Sequence, residues 1–249
     1  MDPRLKSLSL KTSLSALLDL VLPRVCVVCG RPLLPRERHL CLECLSDLPE
    51  THYATVGRNP MADRFNAKVQ VDEYEPYAYA AALYHYRADA GYKKISQALK
   101  YHRDFGTGRW AARLLGTRLA ASPLYADVDL VVPVPLHWTR RRQRGYNQAA
   151  VIAAELARAL GAPLAARALV RVRRTRTQTA VAVDAKAANV AGAFRTARRL
   201  RRAAPPRHIL LVDDVFTTGA TLGEAARTLR ASLGEAPVIS AVSLACIAK

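Results

Sequence analysis

No stretch of this chain carries the roughly 18 unbroken apolar residues that a bilayer-spanning helix requires, so the sequence offers no membrane helix. Acidic residues are scarce. The 20 Asp plus Glu stand against 38 Lys plus Arg, a formal net charge of +18 over 249 residues, which disfavours cationic partners and favours polyanions: nucleic acid, nucleotides or an anionic membrane surface. An alanine bias leaves a second source for the arginines, a GC-rich proteome that implies no partner. Internal repeats and low-complexity tracts are absent beyond that bias. A secretion signal is also lacking. Leu5, Leu8, Leu14, Leu17, Leu18 and Val21 recur at helical spacing, but Asp19 interrupts a signal core and no small-residue cleavage site precedes Pro23. The spacing predicts an amphipathic helix over 1–23 and cytoplasmic residence, with peripheral attachment at the inner face of the membrane as the alternative.

Of five cysteines, four form two C-x-x-C pairs, Cys26/Cys29 and Cys41/Cys44, with eleven residues between them. Each pair fits a tight knuckle turn that aims both sulfurs at one ion, and four thiolates complete a tetrahedral Zn²⁺ shell. Disulfides are the alternative, disfavoured in a compartment where thiols stay reduced. His39 is close in sequence but not needed as a ligand. Cys246, inside an apolar run, reads as a core cysteine.

Near the C-terminus stands ILLVDDVFTTGAT, Ile209 to Thr221. The apolar run Ile209 to Val212 predicts a strand buried on both faces of a parallel sheet, closed by Asp213 and Asp214 at its carboxyl end, where open α/β sheets bind ligands. Thr217, Thr218, Gly219, Ala220 and Thr221, ahead of a helix from about Leu222, form a cradle of backbone N–H groups for a phosphate. Acids beside such a cradle suit the hydroxyls of a phosphorylated ribose, or Mg²⁺ through its waters. The plainer alternative is a strand–turn–helix in which Asp214 merely caps the helix.

In chain order, the zinc module spans 24–50 and a connector 51–75. A strand follows over Tyr77 to Tyr86, with helices over Asp89 to Lys100 and Thr107 to Ala121 and a strand over Asp129 to Pro135. His137 to Asn147 is expected as an arginine-rich loop before a helix from Gln148 to Leu160; Arg140, Arg141, Arg142 and Arg144 there suit a pyrophosphate, or form a solvated basic loop. Leu169 to Val172 suits a strand, and the donor-rich segment Arg173 to Phe194 suits a lid over an anionic ligand. A basic, proline-broken approach (Arg198 to Arg207), a helix over Leu222 to Leu233 and a strand over Val238 to Ile247 complete a domain over 76–249. Between Thr139 and Arg207 there are sixteen arginines and one lysine but only Glu155 and Asp184.

The two C-x-x-C pairs, ALKYHRDFG (Ala98 to Gly106), VPVPLHWTRRRQRGYNQ (Val132 to Gln148), RRTRTQT (Arg173 to Thr179) with NVAGAF (Asn189 to Phe194), and LLVDDVFTTGATL (Leu210 to Leu222), in that order, resemble the ComF family. The resemblance covers about residues 14–248 and implies an α/β fold: a zinc ribbon ahead of a type I phosphoribosyltransferase domain with a central parallel sheet. It also implies association with DNA uptake in natural competence. Under it, Asp213 and Asp214 serve the ribose hydroxyls and Mg²⁺ of phosphoribosyl pyrophosphate (PRPP), and 217–221 hold its 5-phosphate. Lys100, His137, Arg140, Arg144 and Asn147 are pyrophosphate-loop candidates; Arg174, Thr177, Gln178, Lys186 and Asn189 are lid candidates. Lys186 stands where the family usually has Arg, which keeps the charge but loses the bidentate fork.

Three functions follow as expectations. The first is a PRPP- and Mg²⁺-binding phosphoribosyltransferase of DNA uptake, acting on an unnamed acceptor. The second is a non-catalytic PRPP sensor that binds single-stranded DNA beside uptake-machinery proteins. The third is a nucleotide-salvage transferase. Aromatics near the arginines are limited to Trp138, Tyr146 and Phe194, thin material for a base-stacking groove.

Overall fold

Strand β5 (His208–Phe216) is the centre of the molecule. Its residues Leu210 and Val212 enter one apolar cluster and Ile209 and Leu211 another, all fully buried, as a strand covered on both faces requires. The computed structural model describes residues 23–69, 77–88, 90–173, 190–201, 204–234 and 237–247. Around β5 lie β1 (Ala80–Tyr86), β2 (Leu130–Pro133) and β6 (Val238–Ile247), all parallel in the order β1-β6-β5-β2.

On one face pack helices α4 (Phe105–Ala120) and α6 (Gln148–Leu160), through Ala111, Leu115, Ile152 and Leu156. On the other pack α2 (Pro60–Val69) and α8 (Ala220–Leu233), through Met61, Phe65, Leu222 and Leu229. The remaining helices are short: α1 (Leu42–Ser46), α3 (Lys93–Tyr101), α5 (Trp138–Arg144) and α7 (Arg198–Arg201). Strands β3 (Leu169–Arg171) and β4 (Phe194–Thr196) form a separate antiparallel ribbon rather than joining the sheet.

Three sequence expectations change. The connector expected over 51–75 contains α2, whose start is capped by Asn59: its Oδ1 accepts from Met61 N (3.1 Å) and Ala62 N (2.9 Å), and Pro60 takes the first helical position. The arginine-rich loop after Pro135 is helix α5, stopped at Gly145 in the left-handed conformation (φ 82°). Strand β5 does not end at its acids but runs on through Phe216, because polarity of a side chain does not break the backbone ladder; Asp213 pairs with Ser243 and Val215 with Ala245. The amphipathic helix expected over 1–23 lies outside the described residues except for Pro23. Among the described residues no helix is long and apolar enough to cross a membrane.

Small residues let α4 and α6 approach closely. A Cβ on Gly116 would sit 2.7 Å from the Ala159 Cβ, which is rigid and cannot yield. Gly116→Ala gains about 1 kcal/mol of helix propensity but meets an overpacking cost of about 1–3 kcal/mol. The expected outcome in chemical denaturation is a net loss of about 1 kcal/mol, recovered when Ala159→Gly is added.

Candidate functional site

A cavity of about 320 Å³ opens at the carboxyl end of the sheet. Asp213 and Asp214 are presented there from β5, Arg171 from the end of β3, and Lys100 and Tyr101 from the last turn of α3. Arg140 and Arg144 come from α5, and Asn147 and Gln148 from the start of α6. Thr217, Thr218, Ala220 and Thr221 line the side where α8 begins.

The acid pair is held by its own backbone: Asp213 Oδ1 accepts from Asp214 N and Asp214 Oδ1 from Val215 N, both at 2.9 Å. Lys100 Nζ lies 3.4 Å from Asp214 Oδ2. Burial, with the neighbouring Asp214 charge added, pushes the Asp213 carboxyl up to about 7. Two adjacent acids are a hard-oxygen donor set that fits a hydrated Mg²⁺ or a pair of hydroxyls.

The turn that opens α8 is made by backbone. Gly219 caps α8 in the left-handed conformation (φ 77°), the Thr218 hydroxyl accepts from Ala220 N at 3.4 Å, and a Cβ on Gly219 would meet the Phe216 ring at 2.8 Å. Arg64, on α2, steadies this turn: Nη1 donates to the Thr217 carbonyl (3.1 Å) and Nη2 to the Ile247 carbonyl (2.9 Å), while the guanidinium sits over the Phe216 ring at 5.1 Å. The fully buried Cys246 lies against the same guanidinium, consistent with a core cysteine.

Of the loop candidates, Lys100, Arg140, Arg144 and Asn147 meet at the cavity. Asn147 also holds its own turn, its amide donating to the Val134 carbonyl at 3.0 Å. His137 does not line the cavity; buried, it caps α5 through Thr139, Nδ1 lying 2.9 Å from the Thr139 hydroxyl. Gly219 makes the turn without lining the wall. The lid candidates Arg174, Thr177, Gln178, Lys186 and Asn189 lie outside the described residues. Arg171, Tyr101 and Gln148 were not anticipated. The Gln148 side chain is buried with no hydrogen-bond partner on Nε2 among the described residues, and only its position at the first turn of α6 signals a role.

The four cysteine sulfurs all lie within 4.8 Å of one another. The Cys29–Cys41 separation of 3.8 Å equals the edge of a tetrahedron with Zn–S bonds of about 2.3 Å, so the residues fit zinc. Gly30 (φ 78°) turns the first knuckle, and Cys41 caps α1 in the second. Burial and the neighbouring sulfurs push Cys44 up, so four thiolates need a cation to coexist. His39 is directed away, its Nδ1 3.0 Å from the Thr107 hydroxyl. Elsewhere His208 lies 2.6 Å from Asp127 and 2.8 Å from the Ser240 hydroxyl, an order that suggests a nucleophile triad. Ser240 is fully buried at the amino end of β6, beyond the reach of a substrate.

A double zinc ribbon domain model matches residues 17–55 and a phosphoribosyl transferase domain model matches residues 147–249. DNA utilization protein YhgH of Salmonella typhimurium is 30% identical over 214 residues, 82% of this chain and 83% of that protein. The chain belongs to the ComF family. The Escherichia coli K12 protein of the same name is equally similar over 210 residues. Competence protein F of Haemophilus influenzae is 35% identical over 139 residues, 55% of this chain and 60% of its own length, so this match spans less than two thirds of that relative. Although the ribbon model describes a double ribbon, residues 17–55 of this ComF-family chain contain four cysteines, enough for one tetrahedral site.

Because the folded Asp213 carboxyl holds its proton up to about 7 and the unfolded one releases it near 3.8, the apoprotein loses stability as pH rises from about 4 through 7. Asp213→Asn removes that slope. The variant should be more stable than the parent at pH 8, by about 1 kcal/mol or more, and nearly equal to it at pH 4, as read from denaturation midpoints.

Proposed function

We propose that the cavity binds PRPP with Mg²⁺ and supports phosphoribosyl transfer, and that the protein serves DNA uptake or utilization. The observation that carries the reading is the meeting of opposite chemistries in one cavity: the acids Asp213 and Asp214, the α8 turn, and the cations Lys100, Arg140, Arg144 and Arg171, with Lys100 3.4 Å from Asp214. A sugar with hydroxyls and phosphates matches both kinds of group, whereas a simple polyanion is repelled by the acids and a cation by the arginines. In this reading Asp213 and Asp214 hold the ribose hydroxyls and the waters of Mg²⁺, residues 217–221 hold the 5-phosphate, and the arginines hold pyrophosphate. The metal would supply charge neutralisation at the departing pyrophosphate. The protein's own part is positioning and electrostatics, which needs no side-chain nucleophile.

The names of the relatives point to DNA, and a second observation favours a nucleic-acid partner. A groove of about 1030 Å³ shares Pro135, Leu136, Asn147 and Arg171 with the cavity. It is lined by Trp138, Tyr146, Arg109, Arg141, Arg158 and Arg167, with Glu155 the one acid among the described lining residues. Trp138 is 62% exposed, an open face on which a base can stack while guanidiniums follow the phosphates of a single strand. The same groove serves a transferase with a nucleic-acid acceptor and a PRPP-sensing DNA-binding protein, and contact with uptake-machinery proteins follows from that role. A salvage enzyme acting on a free base has no use for it.

Calorimetry with PRPP and Mg²⁺ should give saturable binding that Asp213→Ala with Asp214→Ala weakens at least thirtyfold; a parent protein without PRPP affinity rejects the reading. Pyrophosphate release in the presence of an acceptor separates transfer from sensing. With two tryptophans in the chain, Trp110→Phe leaves Trp138 as the reporter. Oligo-dT should quench it, and Arg141→Ser with Arg167→Ser should weaken binding about tenfold and flatten its salt dependence. An unquenched Trp138 excludes the groove.

A further inference from the structure

We propose that the zinc module is a positioning element for the cavity, acting through α3 to set Lys100 and Tyr101. The inference rests on the reading of the cavity as a PRPP site. Helix α3 has nine residues and no side-chain cap at its start, and a helix that short has little stability of its own. Its placement is imposed from outside. At its amino end the cysteine knuckles supply the contacts: Lys94 Nζ donates to the Val28 carbonyl at 2.9 Å and the Tyr92 hydroxyl to the Cys44 carbonyl at 3.1 Å. Gly91 approaches so closely that a Cβ there would lie 3.0 Å from the Val28 carbonyl oxygen.

The turn after α3 is held by the same module. His39, in the left-handed conformation (φ 64°), reaches the Thr107 hydroxyl, which donates to Asp104 Oδ2 at 2.5 Å, and its ring lies 2.9 Å from where a Cβ on Gly106 would sit. A β-carbon residue held at positive φ is strained and persists where surrounding contacts over-determine it. Ile95 and Leu99 of α3 share one apolar cluster with Cys26, Val28, Leu40 and Cys41, so the module and the helix have a common core. At the other end of this short rod stand Lys100, 3.4 Å from Asp214, and Tyr101, over whose ring the Lys100 and Arg144 charges sit at 6.0 and 5.8 Å. The carbonyls that seat α3 belong to Val28, between the first two cysteines, and to Cys44 itself. Metal binding that fixes the knuckles therefore fixes the register of Lys100 against the acid pair.

The test alters the contacts and leaves the cysteines and the cavity untouched. In full-length protein, Tyr92→Phe with Lys94→Met should retain one equivalent of zinc and a thermal midpoint close to the parent's, yet bind PRPP about five- to twentyfold more weakly. In a background of Lys100→Met with Tyr101→Ala the same pair of substitutions should cause less than a twofold further loss, because the connection ends at those two residues. Undiminished affinity in the pair, or an equal loss in both backgrounds, overturns the proposal. Hydrogen exchange judges it independently of PRPP: zinc removal by a chelator should raise exchange in 93–106 and leave α8 unchanged. Exchange that is unaltered in 93–106, or that rises equally in α8, also overturns it. A parent protein that fails to bind PRPP rejects the cavity reading alone, and the exchange result then decides the positioning claim.

Discussion

The site depends on a strand that has no freedom to move. β5 is hydrogen-bonded to β2 on one edge and β6 on the other, and its residues Ile209 to Val212 are fully buried on both faces. Asp213 and Asp214 continue that strand, so the core itself holds two like charges side by side. Burial and their mutual repulsion oppose ionising both, which pushes the Asp213 carboxyl up. A domain whose net stability is of order 5–15 kcal/mol tolerates such a pair only where the rest of the strand is packed as tightly as this one. The destabilised acids are also the groups best placed to gain from a ligand that neutralises them.

What the strand leaves undone is completed from outside the transferase-matched residues 147–249. Lys100 and Tyr101 arrive on α3, Arg140 and Arg144 on α5, and the turn before α8 is braced by Arg64 of α2. These supports converge through short segments rather than through the sheet. Tyr146 donates its hydroxyl to the Leu99 carbonyl, and Arg103 Nη2 lies 3.4 Å from the Arg144 carbonyl, so α3 and the arginine helix are tied together. The zinc module belongs to the same set of supports by its contacts with α3. None of its described residues lines the cavity, so its contacts reach the site only through that helix.

Much of this was legible in the sequence, and the failures have physical causes. The continuous apolar run at Ile209 to Val212 announced a doubly buried strand, and the two C-x-x-C pairs announced four sulfurs around one point, because each signal is local. The end of β5 was misread since charge marks where side chains meet solvent, whereas strand limits follow backbone pairing. Helix α2 carried its own signals: Asn59 and Pro60 at the start, then Met61, Phe65 and Val69 at helical spacing. α5 had no apolar period to read, only a capping His137 and a terminating Gly145. Arg171 was beyond sequence reasoning altogether. One arginine among sixteen is singled out only when the β3–β4 ribbon brings it across the sheet to Asp213.

Charge distribution orders the two concave surfaces. The cavity holds acids and guanidiniums within one small volume, and a ligand must satisfy both. The adjoining groove is lined by five arginines, counting the shared Arg171, and one acid. That acid, Glu155, is buried and already engaged, lying 2.5 Å from Arg158 and within 4 Å of Arg109 and Arg113. Its negative charge is shared among three guanidiniums, which leaves the groove positive along its length and attractive to phosphates. The two surfaces meet at Pro135, Leu136, Asn147 and Arg171. Asp213 and Asp214 line the cavity but not the groove, so the acids stand beside the surface that attracts phosphates and not within it.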